Sequence, residues 1–214
     1  MILLVALSLF FSAESFAGDT KGQGGDILVC KRADRTTYES FDLYERYNYR
    51  LSLAFGETTT SEEIVEKVLS RLMSLDPQRY CLYKKYLESF SRESEYIETE
   101  IEPINDEGLP IIPHHCKLQQ AAIQTILPDS AGIKYRFYRP AVEQLNELHR
   151  TALFFHEFVY RDGLAHNTNG FKDSQEVRYF TAFLFSNQFQ EVTQKRYSEM
   201  LRVVRLPVLE NQCQ

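Results

Sequence analysis

A chain of 214 residues, 43% apolar and 25% charged, is long enough to bury one substantial core and too apolar to stay unfolded. Its 24 lysines and arginines stand against 30 acids, a net charge of −6 with no basic run. That excludes the electrostatic footprint that nucleic-acid binding requires.

An apolar run from Ile2 to Phe11 is followed by Ser15 and Ala17 at the small-residue positions ahead of Gly18. This is the pattern of an export signal over residues 1–17, and it is shorter than the ~20 apolar residues that span a bilayer. Gly18, Gly22, Gly24 and Gly25 then read as a flexible junction. Cleavage removes one acid, Glu14, leaving 24 bases against 29 acids, net −5. The mature chain, residues 18–214, is expected to be one soluble domain, periplasmic or secreted, with no membrane span. Cys30, Cys81, Cys116 and Cys213 all fall within it, and an even count in an exported chain predicts two disulfides. Of the three pairings, Cys30–Cys116 is favoured because both residues flank short β-like segments, which leaves Cys81–Cys213. No CxxC pair exists, so a metal centre built from these cysteines is not expected.

Asp26 to Cys30 reads as a short buried strand. Thr36 with Glu39 forms a capping box opening a helix that carries Tyr38, Phe41, Tyr44, Tyr47 and Leu51 and ends at Gly56. Thr60 with Glu63 repeats the device, with Ile64, Val65, Val68, Leu69 and Leu72 turned inward. Asp76-Pro77 closes that helix and caps the next, whose packing residues are Tyr80, Tyr83, Tyr86, Leu87 and Phe90. The three helices are rich in tyrosine, and at this spacing the rings belong in a core with hydroxyls at its rim. From Glu95 the period changes to two: Ile97, Thr99 and Ile101 alternate with Tyr96, Glu98, Glu100 and Glu102, a strand whose acids form a solvated face rather than a calcium site. Turns at Asn105 to Gly108 and Pro128 to Gly132 bracket a strand over Lys117 to Leu127, and Ile133 to Tyr138 is another. Pro140 takes the first position of one long apolar helix running to Arg161, followed by a turn at Asp162-Gly163. Asn167 to Gly170 is a loop, Asp173 with Glu176 caps a helix holding Val177, Phe180, Phe183 and Leu184, and a last helix covers Glu191 to Val203. N-terminal helices, a small antiparallel sheet, a long central helix and C-terminal helices make an α+β single domain.

The central helix also carries the candidate chemistry. Val142, Leu145, His149, Ala152, Leu153, His156 and Tyr160 share one face, so two imidazoles and a phenol sit in an apolar stripe. The run His156, Glu157, Tyr160, Gly163, His166 resembles the HExxHxxGxxH signature of metzincin zinc peptidases with tyrosine in place of the second histidine. Ser198-Glu199-Met200 is loosely similar to their methionine turn. The resemblance implies a metal-dependent hydrolase in which His156 and His166 hold zinc, Glu157 is the general base and Tyr160 completes the site. Tyrosine weakens such a site, because a phenol with a pKa near ~10 must lose its proton to bind metal. Glu176, His114 and His115 are further ligand candidates without a diagnostic spacing. The alternative reading makes His149 and His156 hydrogen-bonded core histidines, with Glu157 paired to Arg161 or Arg178 in a network joining two helices.

A second resemblance runs through Gly24-Gly25-Asp26, Val29-Cys30-Lys31, Leu43-Tyr44-Glu45, the stretch from Cys116 to Gln124, His156 to Arg161 and Val177-Arg178-Tyr179-Phe180. These pieces resemble recurring segments of uncharacterised exported proteins of predatory Gram-negative bacteria. That resemblance implies an exported protein without an assigned activity, in which tyrosine is usual in the HExxY motif. The leading expectation is an exported protein that binds an unidentified protein or envelope partner, or serves structurally, without a cofactor. The zinc-dependent hydrolase is the alternative.

Overall fold

Asp26–Lys31 forms strand β1, the centre of a three-stranded antiparallel sheet flanked by β2 (Thr36–Ser40) and β4 (Cys116–Gln120). The computed structural model to which these elements belong describes residues 25–104, 111–126, 132–166 and 174–213. The expected export signal, the turn at 105–108, most of the turn at 128–132, the loop at 167–170 and the cap Asp173 lie outside the described residues. Ile27, Leu28 and Val29 are buried, as a strand covered on both faces requires.

The helix expected from Thr36 is corrected. Thr36–Ser40 pairs residue for residue with β1, and only Phe41–Glu45 is helical, as α1. The β-branched and aromatic run Thr36-Thr37-Tyr38 lies four residues after β1, within hairpin reach, and Arg32 N–H donates to Arg35 O at 2.9 Å to close the turn. The next two helices follow their caps. Helix α2 (Ser61–Leu75) opens on Thr60 with both bonds of the capping box to Glu63, and α3 (Pro77–Glu93) opens on Asp76, whose side chain accepts from Arg79 N–H. Tyr83 and Tyr86 are in the core, whereas Tyr47 is 67% exposed.

The second sheet, β3 (Ser94–Ile97), β6 (Ile133–Tyr138) and β5 (Ala122–Ile126) in the order β3-β6-β5, is mixed rather than antiparallel, because β3 runs parallel to β6. The alternation expected through Glu102 stops as a strand at Ile97. The single strand expected over Lys117 to Leu127 divides at Ala121, one half serving each sheet. Gly25 causes the division, since its carbonyl accepts from both Ala121 N–H and Ala122 N–H at 3.0 Å and holds the chain where it changes partners.

Pro140 belongs to a separate turn, α4 (Arg139–Val142), and the central helix α5 spans Glu147–Ala165. It starts where the Asn146 side chain accepts from His149 N–H at 3.0 Å, a fresh cap that the apolar periodicity hides. Asp162-Gly163 is not a turn. Both residues are buried inside α5, and the helix closes past them with His166 N–H donating to Asp162 O. After α6 (Ser174–Leu184) comes a short helix α7 (Asn187–Glu191), and the expected last helix is α8 (Gln194–Val203), which starts three residues later than Glu191 because Thr193 caps it.

Two apolar clusters lie on either side of α5. Leu148, Phe155, Phe158 and Val159 pack with α2, α3 and α6, while Leu153 joins Ile27, Val29, Tyr135 and Phe137 of the two sheets. The fold is therefore an α+β domain around one nearly enclosed helix. Disulfides Cys30–Cys116 and Cys81–Cys213 join β1 to β4 and the C-terminal tail to α3. No described helix is long and apolar enough to cross a membrane.

Candidate functional site

His156, in the middle of α5, is 1% exposed, and its Nδ1–H donates to Asp42 Oδ1 at 2.8 Å. Asp42 sits in the first turn of α1, where its other oxygen accepts from Ser40 Oγ–H at 3.0 Å. Burial pushes the His156 pKa down, but the charge and hydrogen bond of Asp42 outweigh it and hold the imidazole above its ordinary value. His156 Nε2 makes no hydrogen bond among the described residues. Two turns earlier, His149 is shifted the other way: burial, followed by the charge of Arg46, lowers its pKa from 6.5 to about 4. It is neutral, and its Nδ1 accepts from Ser40 N–H at 3.2 Å.

Glu157 is fully buried. Its Oε1 accepts from Gly25 N–H at 2.8 Å, and Oε2 has no partner among the described residues. Gly25 is the residue type this contact needs, because a Cβ there would collide with the Leu153 side chain and crowd Glu157 Oε1 at 3.2 Å. Burial raises the Glu157 pKa, and the opposing effects of His156, Gln124 and the Gly25 N–H do not cancel it. Gln124 reaches from β5 to donate to the Glu157 carbonyl. Tyr160 is buried in the larger core.

The arginines expected at Glu157 bond elsewhere. Arg161 donates to Glu93 Oε2 at 2.7 Å and to Tyr135 OH at 3.1 Å, with its guanidinium 4.1 Å from the Tyr86 ring centroid. Arg178 donates to Glu45 Oε2 at 2.6 Å, a carboxylate that Tyr49 OH also reaches. The polar contacts that join helices here are Asp42–His156, between α1 and α5, and Glu45–Arg178, between α1 and α6.

His156 and His166 are not brought to one point. Ten residues of continuous helix put them ~15 Å apart along the axis. His166 ends α5, where its Nδ1–H donates to Asp162 O at 3.1 Å and Oδ1 at 3.2 Å. That hydrogen bond raises its pKa above the ordinary value. In a shared zinc site the third histidine must fold back past a turn, and here Asp162-Gly163 continues the helix instead. His114 and His115 lie beside Cys116, and Glu176 meets Arg205 at 3.0 Å. Among the described residues, the group of ligand atoms close enough for one metal ion is Cys30, His115 and Cys116, whose sulfurs are bonded to each other.

A second buried centre escaped the sequence reading altogether. Arg79, on α3, is fully buried and donates through Nε to Asp162 Oδ2 at 2.7 Å, through Nη2 to Pro207 O at 2.8 Å, and to Tyr197 OH and Asp76. Tyr83 OH also donates to Asp162 Oδ2 at 3.2 Å. Burial opposes both charges, yet Arg79 and His166 hold the Asp162 pKa below its ordinary value. The Asp76-Arg79 spacing hints at a capping contact, but nothing local announces that the same guanidinium meets Asp162.

Both centres join elements, and Asp42, His156, Glu157, Arg79 and Asp162 are buried within them. Comparison with protein-family models, with curated proteins and with solved structures finds no match to the chain.

Proposed function

We propose that this chain is an exported protein that acts by binding a partner or as a structural component of the envelope or secreted fraction, and that its HExxY segment serves cohesion. The observation that carries this reading is the closure of the motif. His156 is 1% and Glu157 0% exposed, each is held by an inward hydrogen bond, and His166 stands three turns away. A hydrolase would need its base within hydrogen-bond reach of a water that can meet a substrate. Two disulfides accord with an oxidising destination. For binding, the surface offers a concave apolar notch of about 310 Å³ between α2, α3 and α5, floored by Phe155 and Phe158 and walled by Val65, Leu87, Phe90 and Phe154. Ligand sites favour linings of this kind.

The test uses the oxidised mature chain made without a histidine tag. It should carry less than about a tenth of an equivalent of transition metal and should leave peptide and cell-wall substrates intact with or without added zinc. Metal-dependent hydrolysis that disappears in a folded Glu157→Gln variant would overturn the proposal in favour of the hydrolase.

A further inference from the structure

We propose that Cys30, Cys116 and His115 become, once their disulfide is reduced, a binding site for a thiophilic divalent cation such as zinc. The two cysteines are directly opposed on β1 and β4, and Lys31 N–H donates to His115 O at 3.0 Å beside them. That bond places Cys30 and Cys116 at a non-hydrogen-bonded pair of the antiparallel ladder, the position where facing side chains approach most closely. The ladder remains when the sulfur–sulfur bond is gone. Two thiolates on one tetrahedral zinc, each at about 2.3 Å, stand roughly 3.8 Å apart. Side chains on Cβ atoms about 4.5–5.5 Å apart reach that separation by rotation alone.

The third ligand comes from a turn. Cys116 N–H donates to Pro113 O at 2.9 Å, and the tight turn Pro113 to Cys116 swings His115 back toward the sulfurs instead of leaving it on the opposite face, as strand alternation would. A ring nitrogen of His115 and both sulfurs already lie within 4.8 Å of one another. Cys116 and His115 are half-buried, so thiols and ions have access. The fourth position falls to water or to His114, whose ring centroid is 5.3 Å from that of His115. Exposed Lys31 and Lys117 adjoin the cysteines, with Arg32 and Arg35 in the neighbouring hairpin and Asp34 opposing them. This excess of positive charge favours thiolates, the form in which sulfur leaves a disulfide and binds metal.

The reductant is a dithiol. It gives up two electrons and two protons and departs as a disulfide, while Cys30 and Cys116 emerge as thiols, and cation binding then releases both protons. In the oxidised chain the sulfurs are committed to each other, so this site goes beyond the proposed function and leaves its metal-free test unaffected.

The experiment takes the tag-free mature chain, oxidised or reduced with a phosphine, and titrates it with zinc alone, then with cadmium while thiolate-to-metal absorbance is followed. The reduced chain should bind about one equivalent and the oxidised chain less than about a tenth. His115→Ala, which leaves both cysteine pairs intact, should weaken binding to the reduced chain at least ~10-fold, as loss of a ligand must. Uptake below about a tenth of an equivalent by the reduced chain, or equal affinity in His115→Ala, would overturn the proposal, the latter by assigning any binding to the other cysteines.

Discussion

His149 and His156 share a face of α5, yet their surroundings shift their pKa values in opposite directions. Burial and Arg46 take His149 from 6.5 to about 4, so folding requires it neutral. Its contribution to stability is present above 6.5 and is lost as pH falls toward about 4. A shift of that size is worth ~3 kcal/mol. His149→Asn keeps an oxygen to accept from Ser40 N–H but cannot charge. Its urea midpoint should therefore fall less than the parent's through that window, and parallel curves for the two proteins would refute the assignment. His156 works the other way: its raised pKa gives stability that is full below 6.5 and is lost as pH rises through the folded value. Glu157 shows the same sign, since a carboxyl raised above 4.5 costs stability as pH climbs through its folded value. Glu157→Gln should accordingly match or exceed the parent in urea midpoint at neutral pH, with the gap closing below 4.5. A loss of ~3 kcal/mol or more in that variant would mean that Glu157 is an ionic partner after all. The helical wheel was enough to predict that both imidazoles point inward. It could not predict which way each would be shifted, because Asp42 reaches His156 from 114 residues away.

Elements were legible where their signals are local. Thr60 with Glu63 and Asp76 with Pro77 bound α2 and α3 by side chains within three residues of the ends they satisfy, and the structure keeps both boundaries. Local signals failed where a distant segment decides. Thr36 to Ser40 has helix-capping residues but lies beside β1, and the ladder wins. Ala121 breaks an otherwise regular strand because Gly25 binds across it. Asp162-Gly163, a turn by composition, stays helical because Asp162 is the counter-ion that buried Arg79 needs. That last pair fixes α3 against α5, and neither side chain is exposed. Asp162→Asn leaves a buried guanidinium short of its carboxylate and should cost ~3–5 kcal/mol in denaturant unfolding. Arg79→Met combined with Asp162→Asn removes the stranded charge and should recover at least ~1 kcal/mol of that loss. Strict additivity of the two substitutions would show that the pair is not coupled.

At the scale of the whole molecule, the last stretch of chain returns to its first long helices. Leu206 and Leu209 enter the core, Arg79 holds Pro207 O, Gln212 N–H donates to Gln78 Oε1 at 2.6 Å, and Cys213 is bonded to Cys81. Such side-chain packing and scattered polar contacts, the Arg205–Glu176 pair among them, are a thin hold on a terminal segment, which frays unless tied down. The disulfide supplies the tie by closing a sequence separation of 132 residues, and in the chain-entropy account such a loop is worth ~4–5 kcal/mol. The paired substitution Cys81→Ser with Cys213→Ser should thus lower the melting temperature by roughly 10–15 °C. Amides over residues 205–213 should lose protection from hydrogen exchange at temperatures where α5 remains protected, because the tail can now open without the core. If melting moves by less than ~2 °C and the tail amides keep their protection, packing of Leu206 and Leu209 alone secures the terminus and the bridge is redundant.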